Sequence, residues 1–243
     1  MFENLALEKK LDLICELEKL DYLSNNEWDK ILKLIDDSSA EVRLGVSELL
    51  ALFPSSNSEK ILLSMLNDSD YLVRASVCDS LSFSHSQETL RLLMTYAEDK
   101  NYLVRGYAIL SIGDVQLNIK SDLSLAIDYL NILEKKEKSQ WVKIAIFRSL
   151  FILGDFCYGE KLLDMIDSKY YKNRCFVLSL LEQILENNQY SNLLEIKTVI
   201  QKRLKIEKVQ SVQLKLSNLL NICLEKTGRT VTQKTQGDGS SVL

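Results

Sequence analysis

The sequence predicts an all-α chain, an alpha-alpha superhelix of about six helical pairs behind an N-terminal capping helix. The main observation is a repeat at a period of 31 residues. In Asp37-Ser-Ser-Ala-Glu-Val42-Arg43, Asp68-Ser-Asp-Tyr-Leu-Val73-Arg74 and Asp99-Lys-Asn-Tyr-Leu-Val104-Arg105 the Asp, Val and Arg columns each advance by 31. Apolar residues recur at helical spacing on both sides of each copy, and only one Pro and eight Gly interrupt the 243 residues. Self-similarity at this period marks a solenoid, in which each unit buries its apolar face against its neighbours.

Residues 1–23 are the expected capping helix, with apolar residues on one face and a Glu/Lys-rich outer face. Residues 24–226 are the repeat body, regular over 24–113 and degenerate over 121–226. Within each regular copy, Ser39, Asp70 and Asn101 stand three residues before the Val column and are N-cap types, so a helix B starts there. Val42, Val46, Leu49 and Leu50, then Val73, Val77 and Leu81, then Val104, Ala108 and Ile112 form its buried stripe. A helix A precedes each Asp, and Ser24-Asn-Asn-Glu27, Ser56-Asn-Ser-Glu59 and Ser84-His-Ser-Gln87 match the reciprocal capping box. Gly113 reads as the residue that ends the third helix B, with a loop from Asp114 to Lys120. The fourth copy puts Val142 and Lys143 in the Val and Arg columns after a longer spacing, with helix A over 125–133. The fifth reads as slipped by one residue, from Asp167 to Arg174, and the sixth (193–204 and Val212, Leu216, Leu220) as lacking both Asp and Arg. Residues 227–243 carry no apolar period and read as a disordered tail.

The Asp-x4-Val-Arg column between two helices, with Gly45, Ala75 and Gly106 soon after the Arg, resembles the HEAT repeat family, in particular the short bacterial HEAT-like repeats of phycobilisome lyases. The likeness is strong over 24–113 and weak over 121–224. It implies a HEAT-like α-solenoid of stacked antiparallel helix pairs, with the B helices lining the concave side.

Composition narrows function. The five cysteines (15, 78, 157, 175, 223) are odd in number, widely spaced and without a Cys-x-x-Cys, which suits reduced core thiols and no metal site. No basic leader or long apolar run appears, so a cytoplasmic, non-membrane protein is expected. The single histidine, His85, sits in a Ser-rich turn, and no phosphate loop or nucleophile elbow occurs, so no enzyme and no cofactor are expected. HEAT-repeat iron hydroxylases require several His-Glu pairs, which one histidine does not supply. DNA glycosylases of HEAT-like type raise nucleic acid as a partner, but the net charge is −4 and residues 1–196 carry −10 of it, which disfavours that class. The basic balance lies in 197–226, where seven Lys/Arg face Glu207 and Glu225. A bilin lyase is disfavoured because nothing marks a bilin site.

The remaining reading is a non-enzymatic protein-binding scaffold or adaptor, with an immunity-type inhibitor of a bacterial toxin as an analogy from size and acidity. The partner's identity and the oligomeric state stay open. The recurring Asp37, Asp68 and Asp99 with Arg43, Arg74, Arg105 and Lys143 read as a structural ladder, Asp accepting from turn amides and Arg bridging adjacent repeats. Candidate recognition residues are Tyr71 and Tyr102 at equivalent positions, Trp141 near their continuation, and Ile109, Leu110 and Phe147 at outward positions that turn apolar in the third and fourth copies. Burial of these apolar positions between neighbouring helices is the competing reading.

Overall fold

We describe a computed structural model over residues 6–187 and 192–235, with side chains through 227. Thirteen α-helices and no strand occur among the described residues. The chain is a HEAT-like helical solenoid and divides into two compact units, Met1–Leu153 and Gly154–Leu243.

The first unit opens with α1 (Leu7–Leu17), followed by four A/B pairs: α2 (Asn25–Leu32) with α3 (Ala40–Leu52), α4 (Ser56–Met65) with α5 (Tyr71–Ser80), α6 (Gln87–Tyr96) with α7 (Tyr102–Ile119), and α8 (Ser124–Lys136) with α9 (Gln140–Ile152). The second unit holds α10 (Tyr158–Asp164) with α11 (Tyr171–Glu186), and α12 (Leu193–Leu204) with α13 (Gln210–Thr235). In the first unit each B helix packs on the next, α3 on α5, α5 on α7 and α7 on α9, and α1 seats on α3. The stripe read from the sequence lies in that seam: Val42, Val46, Leu49, Leu50, Val73, Val77, Leu81, Val104, Ala108 and Ile112 are all fully buried. Burying each larger aliphatic side chain stabilises the fold by about 1.5–3 kcal/mol.

Several local expectations are corrected. The helix of the N-terminal cap ends at Leu17 rather than 23, and residues 1–5 lie outside the described residues. Only Ser24-Glu27 forms a capping box. The second A helix is capped one residue earlier, by Ser55 accepting from Ser58 N–H, and the third two residues later, by Ser86 accepting from Glu88 and Thr89 N–H. Glu59 is thereby released to accept from the hydroxyls of Ser84 and Thr89 in the next repeat. Gly113 does not end a helix, because α7 runs through it to a left-handed Lys120 at φ 54°. A side chain at Gly113 would meet the Ser149 hydroxyl at 2.9 Å, and that hydroxyl donates to the Ile109 carbonyl at 2.8 Å. The glycine thus serves close packing of α9 on α7. Helix α13 continues through Thr235, past the start of the expected tail at Thr227, since extending an anchored helix avoids the cost of nucleation. Residues 236–243 lie outside the described residues.

The Asp and Arg columns meet across repeats. Arg43 donates through Nε and Nη2 to both carboxylate oxygens of Asp68, at 2.6 and 2.8 Å, and through Nη1 to the carbonyl of Asp37 in its own turn, at 2.6 Å. Arg74 does the same with Asp99 and the Asp68 carbonyl, at 3.0, 3.3 and 2.8 Å. Each Asp also accepts from a turn amide two residues on, Ser39, Asp70 or Asn101. Asp37 has no preceding Arg, and Lys10 of α1 fills that place at 2.5 Å. Pairing holds these carboxyls below their ordinary range. For Asp68 the Arg43 bond is the largest influence, whereas for Asp37 and Asp99 burial pulls upward and the Lys10 or Arg74 bond with the turn amide outweighs it.

The acid of the fourth rung is Glu137, which takes Arg105 at 2.9 and 3.2 Å and the Ser139 amide at 2.7 Å. The fifth copy is not slipped: Arg174 lies 31 residues after Lys143, and its Nη1 reaches the Ser168 carbonyl at 2.7 Å, so Ser168 holds the Asp column. Nor has the sixth copy lost its acid. Glu207 takes Arg174 at 2.8 and 2.9 Å, and Gln213 reaches the Glu207 carbonyl at 2.7 Å from the Arg column. Burial works against the Glu207 carboxylate, but Arg174, the Val209 amide and Arg203 hold it at about 2. Lys143 is the exception, making no ion pair among the described residues, and the next copy offers the neutral Ser168 in place of a carboxylate.

Arg74→Ala strands Asp99 and the Asp68 carbonyl together, and urea denaturation of the full chain at pH 7 is expected to show a loss of about 2 to 4 kcal/mol. Lys143→Ala, in the same column but without a rung, is expected to change stability by less than about 0.5 kcal/mol. Equal losses in the two variants would show that the rung adds nothing to column position.

Candidate functional site

Successive B helices α3, α5, α7 and α9 expose a shared face beside the buried seam. Six residues after the Val column this face carries Glu48, Asp79 and Arg148, and α7 contributes Tyr107 and Asp114. Glu18, at the end of α1, stands at its edge. Helical spacing puts these residues together, because positions three, four and seven apart share one side of a helix and each neighbour repeats the pattern.

Electrostatically this column is the opposite of the ladder. Burial pushes the Asp79 carboxyl up to about 6, helped by the charges of Asp114 and Glu48 and opposed by Arg148. Asp79 keeps exposed surface, so the shift reports crowding between helices rather than entombment. Glu48 is raised by burial and by Glu18, and Asp114 by burial, against the pull of Arg148. Tyr107 is raised by burial and by Asp79 and Glu48. Arg148 is the one cation acting on Asp79 and Asp114, and it already pairs with Asp114 at 2.8 Å and donates to the Leu110 carbonyl at 3.4 Å. Its Nε–H is enclosed without an acceptor.

The structure separates the candidate row read from the sequence. Tyr71 and Tyr102 begin α5 and α7 and are exposed, at 41% and 47%. Trp141 belongs one residue further on, beside the column that holds Gln140, and its ring turns onto α7. There Gly106 leaves it room, since a Cβ at that glycine would lie 2.7 Å from the indole nitrogen. Trp141 also stands edge-on to Tyr107, with ring centroids 6.3 Å apart and planes at 63°. Ile109, Leu110 and Phe147 are buried between neighbouring helices. The contact-surface reading of these three is therefore corrected: Gly106 and Gly113 draw α9 onto α7 and close the seam over them.

Sequence reasoning missed Glu48, Asp79, Tyr107, Asp114 and Arg148 as a group. Three of them share one repeat column, but their sign changes and a leucine interrupts it, so it looked like a solvated surface. Glu137 and Glu207 were missed because the acidic column was sought as Asp, although both stand five residues before Val142 and Val212, as Asp99 does before Val104. His85 is exposed, with Nδ1 3.1 Å from the Asn118 carbonyl oxygen. Among the described residues no group of three His, Cys, Asp or Glu is placed to hold a metal ion, and no helix is long and apolar enough to cross a membrane.

The profile of HEAT repeats matches residues 29–113. No protein with a curated function matches the sequence. Among solved structures, the X-ray structure of YibA from Escherichia coli is similar at a TM-score of 0.53, with 17% identity over 98% of this chain and 84% of that one. The CpcE–CpcF complex of phycocyanin lyase from Nostoc sp. PCC7120 gives 0.46 at 14% identity, covering 84% of this chain and 96% of that one. Human deoxyhypusine hydroxylase in complex with glycerol gives 0.47 at 14% identity, covering 98% and 87%. At such identities the likeness concerns the fold alone. The HEAT-repeat segment contains α3, α5 and most of α7, and hence Glu48, Asp79 and Tyr107.

Asp79 gives a signed test of this face. Its folded pKa is raised, so its charge destabilises the native state above about pH 6, and that cost is relieved as pH falls through 6 toward the ordinary carboxylate value. Asp79→Asn is expected to raise the melting temperature at pH 7.5, with the gain shrinking by pH 5. A variant that melts lower at pH 7.5 would mean that Asp79 is held by a stabilising partner.

Proposed function

We propose that this chain is a non-enzymatic protein-binding scaffold whose recognition surface is the exposed B-helix face of the first unit, flanked by Tyr71 and Tyr102. The observation that supports the reading is the contrast between two sets of carboxylates in the same repeats. Where an acid serves the fold, as in Asp68 or Asp99, it has a guanidinium and a turn amide. On the B face, Glu48 and Asp79 are crowded by neighbouring helices and carry raised pKa values, with no ion pair of their own among the described residues. A fold gains nothing by crowding like charges, so their arrangement is better explained by something that binds there. Tyr107 and Trp141 add aromatic surface of the type that dominates interface energetics. The same carboxylates repel phosphates, which argues against nucleic acid on this face.

The test is site-specific photo-crosslinking of the full chain in lysate of its source cells. A crosslinker at position 76 of α5, on the B face, is expected to capture a discrete protein that a crosslinker at position 91 of α6 does not. With that partner purified, Tyr102→Ala is expected to weaken binding by about 2 kcal/mol at unchanged melting temperature. Trp141→Ala is expected to lower both stability and affinity, because its ring also fills the space over Gly106. Equal capture from both positions, or capture from position 91 alone, would remove the B face from consideration.

A further inference from the structure

The protein-binding reading leaves open what kind of partner fits, and the B face is specific on this point. Glu18 at the C-terminal end of α1, Glu48 of α3, Asp79 of α5 and Asp114 of α7 follow one another across the packed helices, each in electrostatic reach of the next. The other groups that face them are few: the cation Arg148 from α9, committed to Asp114, and the neutral hydroxyl of Tyr107 from α7. Glu48 and Asp79 therefore present unneutralised negative charge on a surface whose rim is apolar, with exposed Leu52 and Leu72 and the Tyr107–Trp141 pair.

Resting on the protein-binding reading, we infer that the B face of α3, α5, α7 and α9 docks a cationic polypeptide segment whose Lys or Arg side chains lie along Glu48 and Asp79. Charge complementarity selects the sign of the occupant, and spacing selects a chain over an isolated cation. Packed helices stand about 8–10 Å apart. Cations three residues apart on a polyproline II segment share one face and span about 9 Å, and cations seven apart on a helix span about 10 Å. Such a segment places one cation over Glu48 and the next over Asp79, while intervening apolar residues meet Leu72, Tyr107 and Trp141. Tyr107, which lies in electrostatic reach of Asp79, also brings an aromatic ring close to a lysine or guanidinium bound there. Because the carboxylates are crowded and raised, each bound cation relieves a repulsion already present, and binding weakens where they take up protons.

The experiment probes the full chain with an array of synthetic 15-residue peptides of cationic, neutral and anionic composition, and measures the selected ones by fluorescence anisotropy. The expected result is enrichment of peptides with Lys or Arg at spacings of three or seven. Their affinity is expected to fall about tenfold or more in Glu48→Gln/Asp79→Asn, on lowering pH from 7.5 to 5, and on raising salt to about 0.5 M. Glu88→Gln, an exposed acid of α6, is expected to leave affinity unchanged. Both variants keep side-chain shape, and the melting temperature of each reports whether the fold persists. No enrichment of cationic peptides, or enrichment that Glu48→Gln/Asp79→Asn leaves intact, overturns the inference. Selection of neutral peptides lost on Tyr107→Ala but kept in the double variant overturns the cationic occupant and leaves the protein-binding reading standing.

Discussion

The interaction on which the regular repeats depend is the bridge from one arginine to the carboxylate of the following repeat. Arg43 and Arg74 each hold three things at once: a carbonyl of their own A–B turn, both oxygens of the next repeat's Asp, and through that Asp the turn amide beyond it. A planar guanidinium suits this because its donors leave in fixed directions, two toward the carboxylate and one toward the carbonyl. One side chain thereby fixes the shape of a turn and the register of two repeats. Lysine at 143 cannot reproduce the fork.

The ends of the ladder show the same constraint. An Asp in the first copy has no earlier repeat to serve it, and Lys10 reaches from the capping helix to supply the missing cation. Near the other end Glu207 is served by both Arg174 and Arg203 and carries almost no exposed surface. Buried carboxylates in this protein are neutralised wherever architecture requires them. That regularity is what gives Glu48 and Asp79 their meaning, since the same helices that neutralise one set of acids leave the other crowded.

Between α7 and α9 the face changes character through two small residues. Gly106 admits the indole of Trp141 and Gly113 admits the Ser149 hydroxyl, so α9 comes close enough to cover Ile109, Leu110 and Phe147. Apolar residues at outward positions of the pattern thus became core, while Tyr107, edge-on to Trp141, came within electrostatic reach of Asp79 and Glu48.

The sequence by itself determined the helical class, the A–B pairing, the 31-residue unit and the buried stripe, because helical periodicity and strong caps are local and each repeat states them again. Its columns also contained the later rungs, at Glu137, Ser168 and Glu207, once a longer acid or a hydroxyl is admitted where Asp stood. Tertiary structure alone decided which outward residues are wet. Whether Phe147 faces water or a neighbouring helix depends on how closely α9 approaches α7, and that distance is set by the absence of side chains at Gly106 and Gly113. It also decided which acids are neutralised, because an Asp column and a Glu48–Asp79 column look alike along the chain and differ only in whether an arginine from another repeat arrives within hydrogen-bonding reach.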